Sequence, residues 1–272
     1  MSARRLAVLA ATAAAGCSYT AAPDPLELDP DVVSIAIVLA AGESEAFLLA
    51  GHPHRPPSDP APEVSVTLLG PGWEAAFSDT MDLEDRCGGG PVRWPMPMVC
   101  LRAPLPEAIR ERTAYQLEGT APKGPFTGSA VVPSAPSILS PADTFRVSAT
   151  RDSGNWSRVP IGYSAPDDVG TLRPSMLAVL GDSTGTESEW IVWPQDLDVG
   201  AVADTLRFDR DDRWLRGELY LVGIGWQYTN FLRASRKAGE QQGFGIEGEG
   251  VYGYFDGSAK SRPVWIAVEE ES

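Results

Sequence analysis

The chain has 272 residues, 43% of them apolar, with eight Trp, 27 Gly, 24 Pro and three Cys, and a formal net charge of −15. That much apolar material excludes a wholly disordered chain, and the negative balance repels phosphate backbones, which sets nucleic acid aside as a partner. High Gly and Pro with little helical periodicity point to many short strands and turns.

At the N-terminus, Arg4 and Arg5 precede an apolar stretch from Leu6 to Ala15, and Ala14-Ala15-Gly16 leads into Cys17. A charged region, a short apolar core, small residues and then cysteine is the layout of a bacterial lipoprotein signal. The apolar stretch is about half of the roughly 20 residues a helix needs to cross a bilayer core. Residues 1–16 therefore read as a signal rather than a membrane span. Cys17 becomes the lipidated first residue of the mature chain and anchors it in the cell envelope. Ser18 follows, rather than Asp, which permits export to the outer membrane. The alternative is an ordinary secretory peptide after which Cys17 happens to fall. The signal carries two of the 22 basic residues and none of the 37 acidic ones, so the mature chain reaches −17.

Residues 17–31, with their Pro and Asp, read as a tether. From there short apolar runs alternate with turn residues. Val32–Leu39 and Ala46–Ala50 form a strand pair joined through Ala41-Gly42-Glu43. Val64-Ser65-Val66-Thr67-Leu68 alternates and stops at Gly70-Pro71-Gly72. Cys87 and Cys100 are an even pair in an oxidising compartment, and a disulfide between them would close a loop with no element of its own. Such a closure is worth about 3 kcal/mol in the chain-entropy model. A redox pair is the alternative, but the spacing is far from Cys-x-x-Cys. Pro106–Arg112 reads as a short helical turn. Tyr115–Gly119 and Phe126–Val132 make a hairpin across Pro122-Lys123-Gly124. Several short strands in about 100 residues match an Ig/fibronectin-like β-sandwich over residues 32–137.

Val132-Pro133-Ser134-Ala135-Pro136, followed by Ser140-Pro141, marks a boundary near residue 138. A second β-rich domain is expected over 138–272, with strands at Phe145–Ala149, Val159–Tyr163, Leu172–Leu180, Trp190–Trp193, Leu215–Gly223, Val251–Phe255 and Val264–Val268. Arg233–Gln242 reads as a loop or short helix. The fold class is all-β.

Chemistry-bearing motifs are few. Gly181-Asp182-Ser183-Thr184-Gly185 has the look of a serine-protease nucleophile turn, but that chemistry needs a histidine base and a carboxylate to orient it. His52 and His54 are the only histidines, and Gly51-His52-Pro53-His54 reads as a turn with exposed rings. Two imidazoles also fall short of a zinc set. Asp209-Arg210-Asp211-Asp212 lacks the alternation of a calcium loop. The Gly-x-Gly-x-x-Gly matches at Gly243/Gly245/Gly248 and Gly248/Gly250/Gly253 run into strand-like Val251-Tyr252. They fit tight turns and close backbone approach better than a dinucleotide loop. No catalytic residue, metal or cofactor is assigned. Trp226-Gln227-Tyr228 and Tyr252-Gly253-Tyr254, read as strands, each place two rings on one face. Trp226, Tyr228, Tyr252 and Tyr254 are thus candidates for a stacking platform for a sugar or peptide, with core packing the alternative.

Val64-Ser65-Val66-Thr67-Leu68, Tyr115-Gln116-Leu117-Glu118 and Gly128-Ser129-Ala130-Val131-Val132-Pro133, with Asn230-Phe231 and Gly248-Glu249-Gly250-Val251-Tyr252-Gly253, resemble an uncharacterised family of bacterial surface lipoproteins. This chain departs from the pattern by carrying Tyr254-Phe255-Asp256 before Gly257-Ser258. The resemblance implies a fibronectin-type sandwich followed by a second β-domain. It also implies a place beside outer-membrane transporters that import large nutrients. The expectation is a non-catalytic envelope lipoprotein, lipid-anchored at the outer membrane and associated with a transporter. A free-standing glycan or peptide binder is the second reading, and a hydrolase with an unrecognised acid pair the third.

Overall fold

The computed structural model describes residues 29–81, 96–148, 156–181, 187–192, 195–209, 214–235 and 242–269. The signal, Cys17, the tether up to residue 28 and Cys87 lie outside them.

The fold is all-β, with nineteen strands and one helix among the described residues. The first half holds β1 (Val33–Ala40), β2 (Glu45–Gly51), β3 (Ser65–Gly70), β4 (Trp73–Ala76), β5 (Asp79–Met81), β6 (Met98–Pro104), β7 (Ala114–Ala121) and β8 (Gly124–Val131). There follow β9 (Ser137–Ser140), β10 (Thr144–Ser148), β11 (Trp156–Ser164), β12 (Thr171–Gly181), β13 (Glu187–Val192), β14 (Ala203–Asp209) and β15 (Trp214–Ile224). The chain ends with α1 (Trp226–Ser235), β16 (Gly243–Phe244), β17 (Ile246–Gly248), β18 (Val251–Lys260) and β19 (Val264–Glu269).

An eleven-stranded sheet runs β10-β19-β15-β18-β1-β2-β6-β5, with β12 beside β15, β13 beside β12 and β16 beside β18. A five-stranded sheet runs β17-β8-β7-β3-β4, and a three-stranded sheet β14-β11-β9. Along β1, Val33, Ile35, Ile37 and Leu39 are buried while the residues between them are half-buried, the alternation a pleated strand imposes. They share a core with Val66, Leu68, Tyr115, Leu117 and Phe126 of the five-stranded sheet. Each such side chain contributes about 1.5–3 kcal/mol by leaving water, and the two facing sheets form a sandwich.

A second core joins Val159, Ile161 and Tyr163 of β11 to Leu172, Met176, Leu219, Leu221 and Ile266 of the large sheet. Both small sheets stack on one face of the large one. Phe255 of the first core and Ala259 lie on the same side of β18, and Ala259 pairs with Gly223, which alternates with Leu221 of the second core.

Pairing runs across the boundary expected near residue 138. β1 lies parallel to β18 in register from Val33↔Val251 to Ala40↔Ser258, and β17 pairs with β8. Ile246, Val251 and Phe255 accordingly belong to the first core. Gly253 permits this contact. Its φ is +116°, and a Cβ there would sit 1.9 Å from the carbonyl oxygen of Ile35.

Two local expectations are corrected. Pro106–Arg112 is a bend and a turn, not helical. It is held by Tyr115 Oη, which accepts from the Arg110 N–H at 2.9 Å, and by the Arg112 N–H donating to Val132 O at 2.8 Å. Trp226-Gln227-Tyr228 is not a strand but the first turn of α1. Pro174 stands within β12, yet beside the stretch that β13 does not reach, since β13 pairs only with Met176–Gly181. There its missing N–H leaves no ladder bond unmade on that side.

Candidate functional site

Helix α1 forms where it does because a distant carboxylate caps it. Asp256, on β18, is 2% exposed. Its Oδ2 accepts from the Tyr228 N–H at 2.8 Å and its Oδ1 from the Gly257 N–H at 2.8 Å, and the Gln227 N–H also bonds to it. Free N–H groups at a helix start favour an acceptor bearing negative charge. Gly225 lets the chain pass, since a Cβ there would fall 2.1 Å from Asp256 Oδ1. Burial pushes the Asp256 carboxyl up to about 6, against the pull of these hydrogen bonds.

The helix divides the four candidate aromatics. Tyr228 meets Tyr254 edge-on, with ring centroids 5.1 Å apart, and Phe231 lies 4.9 Å from Tyr254 and 6.3 Å from Phe244. Arg173 holds Asp196 through two hydrogen bonds of 2.9 and 3.3 Å, and also donates to Tyr228 Oη at 3.3 Å. Burial raises the Tyr254 hydroxyl to about 12. Tyr254 therefore packs against both Tyr228 and Phe231, and the Arg173 guanidinium lies over the Tyr228 ring, 5.7 Å from its centroid. Tyr252 is half-buried on β18, its hydroxyl bonded to Ser34. Trp226 points elsewhere, because residues two apart on a helix do not share a face. It is 44% exposed, and its Nε1 donates to Asp167 O at 3.2 Å.

Trp226 and Gln227 form one wall of a groove whose floor is the outer face of β7, β8 and β17. Two adjoining cavities of about 440 and 460 Å³ share Gln116, Ser129 and Gln227. Strand register orders the floor in rows. Glu118 pairs with Thr127, which pairs with Glu247; Gln116 pairs with Ser129; and Ala114 pairs with Val131. The first cavity holds Glu118, Thr127 and Glu247, and the second Tyr115, Val131, Asp168, Trp226 and Asp256. Asp168 Oδ2 accepts from Ser134 N and Oγ at 2.9 and 3.0 Å, while its Oδ1 is buried without a hydrogen-bond partner. Among the described residues neither lining contains Lys or Arg. Two described cations at the margins are engaged. Arg112 donates to Ser134 Oγ at 2.7 Å, and Arg233 lies 5.7 Å from the Trp226 ring centroid.

Of the described candidate residues, only Trp226 enters this groove. The outward row of Gln116 and Glu118 follows from the alternation of Tyr115–Gly119, so that half of the floor was visible in the hairpin pattern. Glu247, Asp168 and Gln227 carried no such signal.

Other motifs resolve into structural roles. His52, expected to be exposed, is 3% exposed, with Nδ1 3.1 Å from Val32 O, because the turn after β2 folds under the chain entering β1. Among the described residues no three His, Cys, Asp or Glu cluster as metal ligands. The last residues before β1 are clamped, with Asp31 held by Arg55 at 2.7 Å and Asp29 by Lys123. The hydrogen bond from Lys123 holds the Asp29 carboxyl below its usual range. Cys100 is fully buried on β6. Asp182–Gly185 and Arg210–Asp212 lie outside the described residues.

No protein-family model matches the chain, and no curated protein matches its sequence.

Proposed function

We propose that this protein is a non-catalytic binding component of a bacterial cell envelope. It is lipid-anchored through Cys17 at the outer membrane and contacts its ligand through the groove between the β7–β8–β17 face and α1. The carrying observation is the groove itself, a concave surface of mixed polar and apolar lining with one half-exposed indole in its wall. Association with an outer-membrane transporter, which the lipoprotein resemblance suggests, and free-standing binding of a glycan or peptide both use this surface. Cys87 and Cys100 form a structural bridge in this reading, in keeping with the burial of Cys100.

A buried carboxylate of raised pKa beside a cavity is also what an acid-pair hydrolase requires. Both oxygens of Asp256 are committed to backbone N–H groups, which favours a cap over a proton donor.

The test is affinity capture from detergent-solubilised native envelopes with the lipidated protein. Cys17→Ala and Trp226→Ala/Gln227→Ala serve as comparisons. The reading expects a stoichiometric partner that the groove variant fails to retain, and a Cys17→Ala form released from membranes. A partner held equally by the groove variant would place the contact elsewhere.

A further inference from the structure

The groove has a polarity and an open strand edge that together select a class of ligand. On the outer edge of β8, the Ser129 N–H donates to Gly245 O at 2.8 Å, and β17 pairs only with Phe126–Gly128. Backbone groups two residues apart on a strand point to the same edge, so Val131 turns its N–H and C=O the same way. Among the described residues no strand pairs with it on that side. Instead the second cavity lies there, between Ser129–Val131 and Trp226–Gln227, and Val131 is 54% exposed. Glu118 and Glu247 stand on either side of Thr127, about 10 Å apart at two strand spacings, with no cation among the described lining residues between them. Asp168 adds a buried carboxylate oxygen that lacks a donor.

Resting on the groove reading above, we infer that the groove takes an extended peptide segment bearing Lys or Arg. The segment pairs with the edge of β8 at Val131, beyond the Ser129–Gly245 hydrogen bond, and sets its basic side chains against Glu118 and Glu247. Main-chain pairing supplies the docking and alternate side chains the selectivity, as in other strand additions. A neutral glycan fits less well. The exposed ring in the wall, Trp226, already binds Asp167 O and lies under Arg233, and the row of carboxylates, with no Lys or Arg among the described lining residues, favours positive charge.

Fluorescence anisotropy with the full chain tests this, using a labelled peptide that alternates Lys with Val and its Glu–Val counterpart. The Lys–Val peptide is expected to bind and the Glu–Val peptide to fail. Glu118→Gln/Glu247→Gln should weaken binding about tenfold, and binding should fall as salt rises from about 0.05 to 0.5 M. Both substitutions are isosteric on an exposed sheet face, and an unchanged melting temperature confirms that the variant folds. Val131→Pro removes the edge N–H without altering charge and should weaken binding as well. Equal binding of the two peptides, or indifference to the Glu pair, overturns the inference. If a neutral oligosaccharide binds instead, and Trp226→Ala/Gln227→Ala abolishes that binding, the groove reading stands and the peptide is wrong. If peptides and oligosaccharide alike show no groove-dependent binding, both fail.

Discussion

Asp256 is the residue on which the site turns. It holds the start of α1 against β18 and so fixes Trp226 and Gln227 at the groove wall. Burial raises its pKa from 3.8 to about 6. A carboxyl that ionises less readily folded than unfolded contributes stability that is fully present below about pH 3.8 and lost as pH rises through about 6. Two pKa units correspond to roughly 2–3 kcal/mol. In urea unfolding, the stability of wild type relative to Asp256→Asn should therefore fall by about that amount between pH 4 and pH 7. A difference that stays flat with pH would contradict the burial of this group.

At the scale of elements, β1 and β18 form the seam that joins the two ends of the described chain, and Gly253 is its narrowest point. A side chain there meets both a positive φ and the Ile35 backbone, and a backbone carbonyl cannot rotate away as a flexible side chain can. Gly253→Ala should cost about 3 kcal/mol or more, read as a lower urea midpoint; a wild-type midpoint would contradict the close pairing of β1 with β18. The elements themselves were legible to different degrees, for physical reasons. The β7–β8 hairpin follows from local alternation and a Pro-Lys-Gly turn, and it forms with Ala121 opposite Gly124. Helix α1 did not follow. Its aromatic start favours a strand by propensity, and the cap that decides for helix comes from Asp256, 30 residues further on. The same displacement turned a presumed stacking pair, Trp226 and Tyr228, into one groove residue and one packing residue.

Across the whole molecule, the two cores share one continuous sheet, so the C-terminal strands complete the sandwich begun by the N-terminal ones. Local pattern predicts strands well but carries no information on which distant strands pair. The parallel β1–β18 contact and the β8–β17 contact were therefore invisible, and with them the placement of Glu247 opposite Thr127. The groove exists only because those long-range pairs form. Its acidic floor agrees in sign with the chain's net charge of −15, which draws cationic segments toward the surface before docking. The most direct measurement is hydrogen–deuterium exchange of the full chain, alone and saturated with the Lys–Val peptide. Slowed exchange is expected at residues 114–131, 225–229 and 245–248. Protection falling instead around Phe145, Pro160 and Ala203, at the cavity beside β9, β11 and β14, would contradict it.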